Sequence, residues 1–522
     1  MQKTKTTDNI TLILFVILFA IVIAAVTATF SPGAFNAGFW AALKLSIPGG
    51  ALMVLAWLRT GRRKLAAVMI LIAFILRLAA GLATTELLPI YGYTDEPQQK
   101  QGYLFDDAYR RDDEAWRIAN EEQPSFFEPL GRTYNNDQYG GMTVLGIWIY
   151  RYLSPDARRY QLLILLGAFV FAAGTAYLLH ALQDWEYLQE PGFEKTAAIA
   201  TWIYVLYPDS IVYSASPMRE PFLMGLLAVA FWALTRLKHD TLRSGLTLAG
   251  IFLVILPFSY FIAGALVAVS VLWFWAEMLI PRSKNWLYGG IGLTTGVLIL
   301  TFLLALPTIQ DFVHYDIHTT EISSGWVEKV VGEIGGQFRS IFLSIYGITQ
   351  PVLPAILFYQ PTTPFWKVTG IFRALGWYLL VPFLFYALFV TLRVQQKPKR
   401  NVYIVNALFI AGWIFVSSLR AGGDQWDNPR YRVIFLPWLA FFSAWGICEA
   451  KRLKDWWLAR WIAIEVIFVI FFSQWYYSRY SGDAIRRFPF WRTVTYIVIC
   501  SGAVFLTGLI NPIRKRLKGK KE

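Results

Sequence analysis

The sequence predicts an all-α, polytopic membrane protein with about 14 transmembrane helices, and three observations carry that expectation. Of 522 residues, 56% are hydrophobic and only 16% charged, whereas roughly a quarter of residues are charged in ordinary soluble chains. The apolar residues gather into blocks near the roughly 20 residues a helix needs to cross a bilayer's hydrocarbon core. The basic residues fall mainly between alternate blocks, so membrane topology accounts for most of the formal net charge of +14 without nucleic acid. The two cysteines, Cys448 and Cys500, lie inside apolar blocks and offer neither a disulfide framework nor a Cys-based metal site.

In chain order the blocks run 10–30, 37–58, 65–88, 160–181, 196–212, 219–235, 244–257, 260–276, 286–306, 374–392, 402–419, 433–448, 456–473 and 493–510. The first follows Lys3 and Lys5 and exceeds the roughly 7–15-residue apolar core of a signal peptide, so it reads as a retained anchor. Cleavage near Val26-Thr27-Ala28 is the alternative. Only Pro257-Phe258-Ser259-Tyr260 separates the seventh block from the eighth. Counting both puts the two termini on one side. With the termini cytoplasmic, so are Arg59, Arg62, Arg63 and Lys64, then Arg236, Lys238 and Arg243, then Arg393, Lys397, Lys399 and Arg400, then Lys451, Arg452 and Lys454. That distribution satisfies the positive-inside rule; the expected location is the plasma (inner) membrane, with both termini cytoplasmic. Residues 1–64 read as a two-helix addition, 65–450 as the membrane core, and 451–522 as closing helices with a basic tail that can also meet anionic lipid.

Two long segments, 89–159 and 307–370, fall on the outer side. The first, a large outer loop after the third helix, carries 12 of the chain's 34 acidic residues. Within it, residues 105–119 lack Gly and Pro and have helical spacing. On that helix Asp106 faces Arg110, Asp107 faces Arg111 and Asp113 faces Arg117, each at i,i+4. Asp112 has no such neighbour and lies in a stripe of alanines at 108, 115 and 119. A carboxylate on a packing face needs a partner or a task. The partner reading is an arginine from another loop; the task is catalysis. Further on, Tyr134-Asn135-Asn136-Asp137-Gln138-Tyr139-Gly140-Gly141 is a polar turn leading into the apolar run Val144–Tyr150, too short to span and suited to an interfacial helix. Asp137 and Gln138 there are candidates to meet a sugar hydroxyl, against a plain turn role.

Cations also stand on the outer side. Ser216, Pro217, Met218, Arg219 and Glu220 open the sixth block, with Ser216 as expected N-cap and Glu220 in the first turn. Asp427-Asn428-Pro429-Arg430-Tyr431-Arg432 opens the twelfth. Arg219, Arg430 and Arg432 oppose both helix dipole and positive-inside bias, and an anionic group such as a lipid phosphate would explain them; snorkelling or local salt bridges is the alternative. His314 and His318 stand four apart near Asp311 and Asp316, yet the residues between make no zinc-protease motif, so no metal site is assigned.

Together these features resemble the GT-C superfamily of membrane glycosyltransferases, in particular relatives of protein O-mannosyltransferases and of lipid A aminoarabinose transferase. The resemblance rests on Asp112-Asp113-Glu114-Ala115-Trp116 after the third span, on Ser216 to Glu220, and on Arg430-Tyr431-Arg432 with Pro437. It implies a GT-C-like fold and transfer of a sugar from a polyprenyl-phosphate donor to a glycan, lipid or protein acceptor on the extracytoplasmic face of the cell envelope, with inversion. The acidic motif aligns in two registers. The absence of a partner on its own helix selects Asp112 as the base, with Asp107 one turn back as the alternative and Asp113 adjacent; Arg219, Arg430 and Arg432 would take the lipid phosphate, and Asp137, Gln138 and Glu220 the sugar or acceptor. Some superfamily members use a divalent metal and others none, so metal dependence is open. The alternative is a transporter or flippase of lipid-linked sugars, to which the intramembrane charges Lys44, Arg77 and Glu465 would belong. Transporters tend to show internal repeats, and none is evident here.

Overall fold

The computed structural model describes residues 2–93, 95–123, 127–131, 140–283, 285, 288–290, 292, 325–359, 363–419, 425–482 and 487–518. Among the described residues all regular structure is helical. Nine helices there are long and apolar enough to cross a membrane, and one sharply bent pair adds a tenth if it forms a single span. The chain is a multi-pass membrane protein.

Three long helices, α1 (Gln2–Thr29), α2 (Phe35–Arg59) and α3 (Lys64–Tyr91), open the chain. The amphipathic α4 (Asp106–Ala119), the short α5 (Gly141–Tyr152) and the long α6 (Gln161–Asp184) follow. The first half closes with α7 (Thr196–Leu206), α8 (Pro208–Val212), α9 (Glu220–Thr235), α10 (Thr241–Ile255) and α11 (Tyr260–Phe274). The second half comprises α12 (Gly325–Ile334), α13 (Arg339–Thr349), α14 (Leu353–Phe358), α15 (Pro364–Val390) and α16 (Lys397–Leu419). It ends in α17 (Asp427–Val433), α18 (Leu436–Leu453), α19 (Trp457–Tyr480) and α20 (Phe490–Lys518).

Helix α6 is the axis of the first half: α2, α3 and α9 pack along it, and most of its length is buried. Glycine permits that approach. A Cβ at Gly174 would lie 2.6 Å from the carbonyl oxygen of Gly225 on α9, and one at Gly81 on α3 would lie 2.6 Å from Ile164. Small residues let helix backbones meet where lipid supplies no hydrophobic drive toward association. In the second half α18 packs between α7 and α15, and its buried Trp438 donates to Asn406 on α16 at 2.8 Å. Arg77, fully buried on α3, donates to Ala73 O and Val205 O at 3.1 Å each and to Ser210 Oγ at 2.7 Å, with its guanidinium 3.3 Å above the Phe171 ring. An intramembrane charge needs such partners; here they tie α3 to α7 and α8.

The apolar blocks and the spans differ for local reasons. Block 196–212 divides into α7 and α8 at Tyr207, which is extended (φ −62°, ψ 120°) because it precedes Pro208. At about 1.5 Å per residue, α9 and α10, of 16 and 15 residues, rise only about 24 and 22 Å, short of a hydrocarbon core of roughly 30 Å. α17 and α18 meet at 75°. Most of block 286–306, and residues 307–324 with His314 and His318, lie outside the described residues.

The connecting segments sort to two ends. Arg236 pairs with Asp184 at 3.0 Å, Lys238 with Glu186 at 2.8 Å, Lys399 with Glu190 at 2.9 Å and Arg393 with Asp455 at 2.7 Å, so the basic loops share one end. The acidic segment that contains α4 meets residues 213–220, the break at 257–259 and residues 425–432 at the other.

Candidate functional site

Helix α4 forms where the sequence places it. Asp106 and Asp107 occupy its first turn and Arg117 its last, complementing the helix dipole. Its buried face comprises Ala108, Arg111, Asp112, Ala115, Ile118 and Ala119. This face docks on α5, where a Cβ at Gly146 would lie 2.8 Å from that of Ala115. The expected short helix after Gly140 is α5 itself. Gly140 has φ +74°, which glycine adopts without penalty, and Gly141 donates its backbone N–H to Pro257 O at 3.0 Å.

The stripe position Asp112 receives three hydrogen bonds. Tyr103 Oη donates to Oδ2 at 2.6 Å, Tyr150 Oη donates to Oδ1, and Arg158 Nε donates to Oδ2 at 2.6 Å. The Asp112 side chain is 1% exposed. Arg158 also donates to Asp113 Oδ1 at 2.7 Å and to Tyr109 O at 2.9 Å, and it lies over the rings of Tyr103 and Tyr109. Burial, reinforced by the Asp112 charge, pushes both phenols well above their ordinary value. Burial opposes the charge on Arg158, but Asp112 outweighs it and holds the guanidinium firmly protonated. This arrangement seals Asp112: to reach an acceptor hydroxyl it must release one of its three donors. The helix-internal pair expected between Asp113 and Arg117 is replaced, since Asp113 goes to Arg158 and Arg117 to Glu121 at 2.9 Å. Asp106 keeps its expected partner Arg110 at 2.8 Å.

One turn earlier, Asp107 belongs to a second cluster that joins segments far apart in sequence. Arg430 Nη1 lies 2.9 Å from Asp107 and Arg430 Nε 2.7 Å from Glu220, while Arg111 reaches Asp107 at 3.5 Å and Arg219 reaches Glu220 at 3.6 Å. Asp427 adds a contact to Arg430 at 3.6 Å. Three guanidiniums therefore stand among three carboxylates. Glu220 is fully buried, and its Oε2 has no hydrogen-bond partner among the described residues. Asp107 keeps 30% of its side chain exposed. Burial acts to raise its pKa, but Arg430 and Arg111 outweigh burial and hold the carboxyl well below the ordinary range.

Of the three arginines grouped from sequence, the structure brings Arg219 and Arg430 together and places Arg432 elsewhere. Arg432 donates to Gln350 O at 2.7 Å and Ile348 O at 3.4 Å and stacks 3.4 Å over Trp377. Residues two apart on a helix do not share a face, so Arg430 and Arg432 diverge. Ser216 is not the cap expected of it. α9 starts at Glu220 with Arg219 in the N-cap position, and Ser216 Oγ bonds no described residue. Asp137 and Gln138 lie outside the described residues.

An apolar cavity of about 730 Å³ lies beside Phe258. Leu130, Val144, Leu145, Trp148, Pro257 and Phe258 line it, and Arg219 donates to the carbonyl oxygen of Phe258 at 3.3 Å. Phe258 therefore links the greasy groove to one arginine of the cluster. Arg111 was expected only as the helix partner of Asp107, which it is, and Tyr103, Tyr150 and Arg158 were not singled out from sequence. Arg158 and Arg159 carried a usable signal, a cation pair on the expected outer side just as anomalous as Arg219. The phenols carried none, because buried and interfacial tyrosines look alike in a chain with 27 of them. The chain matches no protein-family model, and no curated protein shows significant sequence similarity to it.

Proposed function

We propose that the chain is a membrane glycosyltransferase acting at the end that carries α4, which faces the outside, with a polyprenyl-phosphate sugar as donor. The observation that supports this most is the meeting at Phe258 of the apolar cavity with the Asp107, Arg111, Arg219, Glu220, Arg430 cluster. An isoprenoid needs an apolar groove, its phosphate needs guanidinium donors, and the reaction needs a carboxylate within reach of solvent.

In this reading the isoprenoid lies along Val144, Trp148 and Phe258, and the phosphate engages Arg219 and Arg430. The acceptor oxygen attacks the anomeric carbon while the bond from that carbon to the phosphate oxygen breaks. The electron pair leaves on the phosphate, where the guanidiniums stabilise it, and the acceptor proton passes to Asp107. The anomeric centre inverts. Asp107 suits the role better than Asp112 because its side chain is open, whereas that of Asp112 is sealed. A carboxylate paired with arginine is a weak base. A phosphate that draws Arg430 toward itself weakens that pairing, so donor binding raises the basicity of Asp107 when it is needed.

The test uses purified protein, a radiolabelled polyprenyl-phosphate sugar series and membrane extract as acceptor source. Turnover in the unmodified protein should fall by about 10²- to 10⁴-fold in Asp107→Asn with donor binding retained. Absence of transfer across the series, or a position 106 cysteine labelled only from the cytoplasm, would overturn the proposal.

A further inference from the structure

A second cavity of about 310 Å³ opens at the same end, between the segment after α3, the start of α15 and the residues before α17. Its walls are aromatic. Tyr93 stacks on Trp366 with centroids 6.0 Å apart, and Trp426 meets Trp366 edge-on at 5.0 Å. Its rim carries neutral amides and one acid: Gln98, Gln99, Gln425 and Glu96. Gln99 accepts from Tyr93 N at 2.7 Å and Trp366 Nε1 at 3.1 Å through its carbonyl oxygen, leaving its amide NH₂ as a donor without a bond to any described residue.

The described cations that line the cavity are already committed. Arg373, 1% exposed, bonds Asp209 at 2.6 Å and Tyr213 at 2.6 Å and lies 3.9 Å from the centroid of the Trp426 ring. Lys367 gives its ammonium to the carbonyls of Ile356, Leu357 and Tyr359. A cationic ligand would meet a guanidinium already seated on the tryptophan, and an anion would find no cation at liberty among the described residues that line the cavity. A neutral polyhydroxylated ring fits both features: its polarised C–H face lies against the negative faces of aromatic rings, and its hydroxyls reach the amides and the carboxylate. The volume holds about ten waters at ~30 Å³ each, enough for one sugar ring and too little for a chain.

We propose that this cavity is a carbohydrate subsite that binds one pyranose residue. Its location also connects it to the cluster. Phe105, which caps α4, packs on both Tyr213 and Trp426, and Trp426 directly precedes the helix bearing Arg430. The subsite thus sits one aromatic layer from Asp107. Its assignment as the acceptor-side subsite rests on the transferase reading; its sugar specificity does not.

The experiment is saturation-transfer NMR on the full-length protein in detergent, with methyl glycosides of glucose, mannose, galactose and N-acetylglucosamine as probes and glycerol as control. At least one glycoside should bind, with Kd raised tenfold or more in Trp366→Ala and severalfold in Gln99→Ala. Gln425→Ala, at an exposed position, guards against a folding artefact and should also weaken binding. Asp106→Asn, at an exposed pair on α4, should bind the glycoside as the unmodified protein does. Failure of every glycoside to bind, or equal binding by the Trp366 and amide variants, overturns the subsite whatever the turnover assay gives. Trp366-dependent binding without turnover leaves the subsite standing and removes only the transferase reading.

Discussion

Replacing Asp112 with asparagine separates a structural from a catalytic carboxylate. Asp112 accepts from Tyr103, Tyr150 and Arg158, and its side chain is sealed from solvent. Asparagine keeps the shape but removes the charge and turns one acceptor into a donor facing another donor. Hydrogen bonds to a charged group contribute about 1.5–3 kcal/mol each, and breaking a buried pair from one side costs about 3–5 kcal/mol. Arg158 is 16% exposed and keeps Asp113 and Tyr109 O, which places the expected loss near the lower figure, about 3 kcal/mol. Asp113→Asn, at an exposed pair, should cost no more than about 1 kcal/mol. Thermal and chaotrope unfolding of the detergent-purified protein measures both. In a cycle with Arg158→Met the two losses should be strongly non-additive, because each variant removes the same bond. An Asp112→Asn protein of unchanged stability whose turnover falls a hundredfold would refute this reasoning and return the base to Asp112.

Acid dependence should separate two kinetic constants. Asp107 has a depressed pKa in the folded protein, so the stabilisation from its charge is complete above the ordinary value of about 3.9 and is lost as pH falls through the lower folded value. In kcat/KM, which reports free enzyme, the acid limb of Asp107 should therefore lie below about pH 4, while in kcat, after the donor engages Arg430, it should move upward; coincident limbs in pH-rate profiles would contradict the coupling. Arg430→Ala should weaken donor binding by about ten- to a hundredfold, and Arg430→Lys should recover only part for want of the bidentate fork; equilibrium binding to a fluorescent donor reads both. Gly174→Val should destabilise the bundle by about 1–3 kcal/mol or more, seen as loss of monodisperse protein after extraction, because its Cβ would lie 2.6 Å from Gly225 O.

Helical periodicity and apolar length were legible because they depend only on neighbours in the chain. The amphipathic helix at 105–119 and the short helix after Gly140 follow from that logic. Apolar composition finds the blocks but not their inner breaks: Pro208 divides 196–212, and α9 and α10 are apolar but short. Asp112 stood out because no partner existed on its own helix, and its partner is Arg158, 46 residues further on, a pairing that no local rule identifies. The same limit applies to Arg430 and Arg432. Two apart in sequence, they point to different neighbours, and only the fold decides which one meets Asp107.

The shortness of α10 bears on the surrounding lipid. Its fifteen residues present exposed leucines at 242, 246 and 253, so acyl chains must cover an apolar wall about 22 Å tall where the bilayer offers about 30 Å. The membrane accommodates such hydrophobic mismatch by thinning locally, at a cost of fractions of a kcal/mol per Å. α10 ends just before Phe258, whose carbonyl receives Arg219. On the proposed reading, thinning there would lower the headgroup plane beside that arginine and let a lipid-borne phosphate reach the depth of the cluster without leaving the bilayer. Thicker bilayers should then slow loading of a long-chain donor and leave a short, water-soluble one unaffected.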